Sequence, residues 1–139
     1  MDAFFWAMIS ASIWGVVPLL EKIGLTKSTP LVGLFYRCIG VAIGLVALAC
    51  MIKPREIKSI EPRSAFLLVL SGFLASFIAQ FCFYNGLKLG QVSKVVPVSG
   101  SYPFITFLLG VLLLGESFSP QKMAGVFLII AGIWALKLG

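Results

Sequence analysis

Five long apolar runs, separated by short polar links, leave this chain almost nothing from which to build a water-soluble surface. The runs cover about residues 3–20, 31–52, 64–87, 95–115 and 121–136. A helix needs about 20 apolar residues to cross the hydrocarbon core of a bilayer. Hydrophobic residues make up 60% of the 139 and charged residues 12%, with a mean hydropathy of +1.06. A soluble domain this small leaves a large share of its surface in water and could not bury so much apolar area. Lipid as the solvent removes the conflict. The expected fold class is therefore an all-α integral membrane protein with five transmembrane helices, forming a single transmembrane domain over residues 1–139.

The first run is read as a retained span rather than a signal peptide. Asp2 precedes it where a basic residue would be expected, and its 18 residues exceed the usual apolar core of a leader. Five spans place the two termini on opposite sides. Counting basic residues by side puts Lys53, Arg55, Lys58, Arg63 and Lys122 with the N-terminus, and Lys22, Lys27, Lys88, Lys94 and Lys137 opposite. Five against five gives no bias for the positive-inside rule to act on, so insertion in either orientation is open.

Several function classes fall away. The net charge of +6 is scattered, without a basic run, so nucleic acid is not an expected partner. Histidine is absent. No carboxylate is read as deep within a span and no serine–base pairing is visible, so the parts for an enzyme are missing. Cys38, Cys50 and Cys82 lie singly in apolar runs without metal-ligand spacing. No metal and no cofactor is implied.

Helical periodicity sorts the polar residues onto faces. Ser10, Trp14, Pro18 and Glu21 share one in the first span. Gly33, Arg37, Gly40, Gly44 and Ala47 share one in the second, as do Gly72, Ser76, Gln80, Tyr84 and Lys88 in the third and Ser99, Pro103, Thr106 and Gly110 in the fourth. Small residues on such faces serve helix packing. A mid-membrane glutamine needs partners, and aromatic walls suit organic solutes, so Trp14, Gln80 and Tyr84 are read as lining a cavity. Arg37 lies about two turns into its span, where a charge faces a cavity, a counter-ion or, by snorkelling, the interface. Glu21 is near the same membrane face and is a candidate partner. Pro97 and Pro103 interrupt the fourth span and free backbone carbonyls. Gly125 and Gly132 lie seven apart in the fifth, as on a helix–helix contact surface. Ser119-Pro120 reads as the N-cap and first residue of that helix.

Further residues carry a family resemblance. Phe83-Tyr84-Asn85-Gly86-Leu87-Lys88-Leu89-Gly90, Val96-Pro97, Pro103, Leu114-Gly115-Glu116, Gln121-Lys122-Met123-Ala124-Gly125 and Ile129-Ile130-Ala131-Gly132 follow one another as in the EamA-type repeat of the drug/metabolite transporter superfamily. Trp14-Gly15, Lys22 and Arg37 fit the same pattern, and the resemblance covers nearly the whole chain.

The resemblance implies a multi-pass protein of the cell (inner) membrane and half of a ten-helix inverted-repeat transporter. The chain itself has no convincing internal repeat, so the missing half implies a second chain. An identical copy inserted upside down, an antiparallel homodimer, agrees with the charge tie. The implied function is secondary transport of small organic solutes by alternating access. Its substrate contacts would be Trp14, Arg37, Gln80, Tyr84, Ser99, Pro103 and Thr106. Glu21, Glu116 and Pro97 would act in gating or coupling, and Gly125 and Gly132 at the dimer interface. Small multidrug resistance proteins, similar at both ends, carry a buried glutamate in the first helix where this chain has Ile13-Trp14-Gly15. Two alternatives stay open: a lipid-linked-sugar flippase subunit, with Arg37 as its basic group, and a non-transporting membrane scaffold.

Overall fold

A computed structural model describes residues 3–138, with side chains to residue 136. Asp2, invoked above against a leader, and the Lys137 side chain, invoked in the charge count, lie outside the described residues. The helices are α1 (Ala3–Gly24), α2 (Pro30–Met51), α3 (Pro54–Lys58), α4 (Pro62–Phe73), α5 (Gln80–Leu89), α6 (Val92–Ser99), α7 (Tyr102–Leu114) and α8 (Pro120–Leu138). A π-helical turn, Leu74–Ala79, joins α4 to α5 into one stretch of 28 residues. Four stretches are long and apolar enough to cross a membrane: Ala3–Gly24, Pro30–Met51, Pro62–Leu89 and Val92–Leu114. A shorter apolar helix follows over Pro120–Leu136. The described residues contain no strand. The chain is an all-helical, multi-pass membrane protein.

Prolines set many of the boundaries. Pro30, Pro54, Pro62 and Pro103 each stand in the first two positions of a helix, where a missing N–H costs nothing. Thr29 caps α2, its hydroxyl accepting from the Val32 amide at 3.4 Å. Ser119 serves α8 as expected, its carbonyl accepting the Met123 amide at 3.0 Å.

Three boundaries differ from the sequence reading. Helix α1 runs past Leu20 to Gly24, taking Glu21 and Lys22 into the helix. The charged link after α2 holds the short helix α3. The fourth span is two helices rather than one kinked one. Gly100 and Ser101 separate them, and Pro103 begins the second instead of bending it. Of the two prolines in this span, Pro97 is the one inside a helix, where its missing N–H deprives the Ser93 carbonyl of its usual donor.

The chain packs as two units, Met1–Leu89 and Gly90–Gly139. In the first, α5 packs against α1 and α2. Its buried apolar core is small, consisting of Leu25, Leu34, Tyr84 and Leu87. Two lysines close the helix ends beside it. Lys88 Nζ donates to the carbonyls of Leu25 (2.6 Å), Thr26 (3.2 Å) and Ser28 (3.0 Å) just beyond α1. Lys22 donates in return to the Leu87 carbonyl in the last turn of α5. Lys22 thereby satisfies a carbonyl that the C-terminus of α5 leaves open, and Lys88 places its charge beside the negative end of the α1 dipole.

In the second unit, α8 packs against α6 and α7. Helix α7 ends at Gly115, whose φ of 65° is a left-handed conformation that favours glycine. The Glu116 amide then turns back to the Gly110 carbonyl at 3.1 Å. Outside these contacts the helices expose large apolar side chains, as lipid-facing surfaces do.

One glycine of the second span is required by packing. A Cβ on Gly33 would lie 2.6 Å from Leu25 Cδ2 and 3.3 Å from the Tyr84 ring, both buried. A Cβ on Gly40 or Gly44 would meet nothing within 4 Å. Gly33→Leu should therefore cost about 1–3 kcal/mol of stability by overpacking. Gly44→Leu should cost less than about 0.5 kcal/mol. Thermal unfolding in detergent distinguishes the two.

Candidate functional site

Four of the residues chosen from the sequence meet in the first unit. Arg37 stands seven residues past Pro30 in α2, about 10 Å along the axis at 1.5 Å per residue. Glu21 is in the last turn of α1, while Gln80 and Tyr84 occupy successive turns of α5. Glu21 Oε1 is their common point. It accepts from Gln80 Nε2 at 2.9 Å and from the Tyr84 hydroxyl at 3.0 Å, and Arg37 Nε lies 3.6 Å away. The Glu21 side chain is only 10% exposed and that of Arg37 29%. Glu21 keeps the place near a span end that the sequence gives it, now within the last turn of α1 rather than beyond it. Glu21 is inside α1, shielded, and surrounded by donors from two other helices.

The local reasons are helical periodicity and side-chain length. Gln80 and Tyr84 are four apart and project from one face of α5. Tyr84 is buried at 3% exposure, so its ring fills the core while its hydroxyl reaches the carboxylate. Arg37 spans the remaining distance. Its Nη1 donates to the Ser76 carbonyl at 3.2 Å, within the π-helical turn. Charge and countercharge are held together with polar donors in a medium without water to replace them. A separation of 3.6 Å is longer than a charge-assisted hydrogen bond. The pair is joined electrostatically, without a direct hydrogen bond between the two charged groups.

The other candidates fall elsewhere. Trp14, two turns before Glu21, is 64% exposed. The face shared by Gly72, Ser76, Gln80, Tyr84 and Lys88 does not run unbroken, because the π-helical turn lies across it. Lys88 holds carbonyls beyond α1 instead of joining the cluster. In the second unit, Pro103, Thr106 and Glu116 border one open groove along α7 of about 560 Å³. The Glu116 carboxyl folds back over the helix, about 3.3 Å from where a Cβ on buried Gly110 would sit. Ser99 is exposed at the end of α6, and Pro97 is half-buried within it. A purely apolar cleft of about 240 Å³ lies between α7 and α8, walled by Phe107, Phe118, Met123 and Phe127 among others. Gly125 and Gly132 are exposed on α8, and a Cβ on either meets nothing within 4 Å. Among the described residues there is no group of histidine, cysteine or acidic side chains that could hold a metal.

Two features of the cluster escape the sequence reading. The Ser76 carbonyl is a backbone group and carries no residue signal. The shielding of Glu21 goes with the continuation of α1 past it to Gly24.

Replacing a donor to Glu21 should weaken the unit. Tyr84→Phe and Gln80→Leu each remove one hydrogen bond to a charged acceptor and should cost about 1–2 kcal/mol. Trp14→Ala, at an exposed position, should cost less than about 0.5 kcal/mol. Unfolding midpoints of the purified variants in one detergent give the comparison.

Known proteins agree with this architecture. The family profile described as the EamA-like transporter family matches residues 1–138. An uncharacterized transporter encoded in the cobO 3′ region of a Sinorhizobium species is 28% identical over 138 residues, covering 96% of this chain and 95% of its own. An uncharacterized protein of Methanocaldococcus jannaschii is 28% identical over 136 residues, covering 98% and 96% respectively. An uncharacterized transporter of Archaeoglobus fulgidus is 22% identical over 130 residues, covering 94% of this chain but 46% of the longer protein. No solved structure matches the chain. With five apolar helical segments and a family match across nearly its whole length, the chain belongs to the EamA-like transporter family of the drug/metabolite transporter superfamily.

Proposed function

We propose that this protein is a secondary transporter of small organic solutes, working by alternating access as a dimer of two five-helix chains. The observation that carries the reading is the Glu21–Arg37 pair with Gln80 and Tyr84 inside membrane-spanning helices. A membrane scaffold has no need to hold an ion pair and two donors at such a position, where charge is costly. The alignment with 46% of the longer Archaeoglobus transporter supports the view that one chain supplies one of two repeats. An identical second copy in the opposite orientation would complete an inverted pair. The even distribution of basic residues supports that arrangement. A lipid-linked-sugar flippase would need a basic group for a phosphate, but Arg37 already has Glu21 as its countercharge.

In this reading Trp14, Arg37, Gln80, Tyr84, Ser99, Pro103 and Thr106 contact solute. Glu21 exchanges its donors between solute and protein as access alternates. Glu116 and the backbone interruption at Pro97 act in gating or coupling. Gly125 and Gly132, open on α8, serve the contact between the two chains.

Two measurements check this reading. Vesicles containing the purified protein and loaded with a mixture of labelled small metabolites should release at least one component that protein-free vesicles retain. Glu21→Gln and Gln80→Ala should slow that release about tenfold or more, a change of about 1.4 kcal/mol in the barrier. Release of nothing from the mixture, or equal rates in both variants, contradicts the proposal. For the orientation, single cysteines near residue 57 and near the C-terminus are placed in a chain without Cys38, Cys50 and Cys82. All three native cysteines are free and exposed. Labelling of each site by an impermeant thiol reagent should occur partly from outside and partly only after permeabilisation. One-sided labelling excludes the antiparallel dimer.

A further inference from the structure

The π-helical turn in the third membrane stretch coincides with the one place where that stretch holds the Arg37 side chain. In an α-helix the amide of Gln80 would donate to the carbonyl four residues back, that of Ser76. Here it donates to the Phe77 carbonyl, three back. The Ser76 carbonyl is thereby withdrawn from its α-helical donor, and it accepts Arg37 Nη1 at 3.2 Å. A backbone carbonyl in lipid must find a donor, so the exchange of one donor for another is a requirement there. Phe73 and Phe77, both exposed, stack beside the turn with centroids 5.5 Å apart and planes 14° from parallel. Directly after the turn come Gln80 and Tyr84, the two donors to Glu21.

We infer that the π-helical turn is a positioning device. It hands the Ser76 carbonyl to Arg37 and so fixes the guanidinium at Glu21, making Ser76 a positioning residue through its backbone. A π-helical turn is accommodated as one extra residue within an α-helix. Removing one residue from it therefore regularises the helix while the flanking segments keep their places. Gln80 and Tyr84 stay on Glu21 in such a variant, and only the acceptor for Arg37 is lost. The inference rests on the cluster being the functional centre. Its test reads the geometry alone, so it can fail while the transport reading stands, or hold while that reading fails.

The test deletes Ile78, an exposed residue of the turn. Wild-type and deleted proteins in lipid vesicles are treated with the arginine reagent phenylglyoxal, and modification is followed by mass spectrometry. Arg55, exposed in the α2–α4 link, is the internal reference. Modification of Arg37 relative to Arg55 should rise about tenfold in the deletion variant, the loss expected for one hydrogen bond to a charged group. The unfolding midpoint should stay near that of wild type. Unchanged Arg37 reactivity in a folded variant overturns the inference. Should the deletion prevent folding, the helix cannot be regularised in place and the inference is overturned in its stated form. A second measurement needs no deletion. In Arg37→Met the Ser76 carbonyl loses the Arg37 donor, and hydrogen exchange of the amides in 76–81 should speed up about tenfold relative to wild type, while amides in 64–70 stay unchanged. Equal exchange in both proteins contradicts the positioning role.

Discussion

A carboxylate and a guanidinium drawn together within apolar helices are the constraint on which the first unit is built. Glu21 comes from α1, Arg37 from α2, and the donors Gln80 and Tyr84 from α5, so one oxygen atom ties three helices. In water such an ion pair would contribute little. In a lipid-facing bundle the alternative to pairing is an isolated charge in hydrocarbon, and the penalty for separation does the organising. The tie holds three helices whose apolar core is only four residues. Apolar burial alone cannot select one arrangement where lipid is as good a neighbour for leucine as leucine is.

The same solvent explains the ends of the helices. Lys22 and Lys88 bond carbonyls beside each other's helix termini, so two charges that could only have flanked the membrane become structural. Their reciprocal capping sits at the same end of the unit as the core of Leu25, Leu34, Tyr84 and Leu87. Gly33 admits Leu25 and Tyr84 against α2 at the same place. Packing, capping and the polar tie thus converge on one end of the three helices.

Much of this was legible in the chain. The apolar runs gave all five helical segments, because the length of a membrane crossing leaves little choice. Arg37 stood out as a charge within a span, with Glu21 as its available partner, and helical spacing put Gln80 with Tyr84. What escaped depends on backbone and distance. The stripe through Gly72, Ser76 and Gln80 assumed an unbroken 3.6-residue period, and the π-helical turn breaks it. The first charged pair reads as the end of α1, whereas the helix continues to Gly24. Pro103 looked like a kink because its helix was taken as continuous, and it is a helix start once Gly100 and Ser101 intervene. None of these corrections changes the fold class. All three change where side chains and carbonyls of the candidate residues point.

A double-mutant cycle on Glu21 and Arg37, read as unfolding free energy in detergent, is the most direct measurement. Glu21→Gln and Arg37→Met are made singly and together. If the pair organises the unit, the double variant loses less stability than the sum of the singles, with a coupling of about 1 kcal/mol or more. Losses that add within about 0.3 kcal/mol would mean that the two charges do not sense each other, and the site would have to be sought elsewhere in the chain.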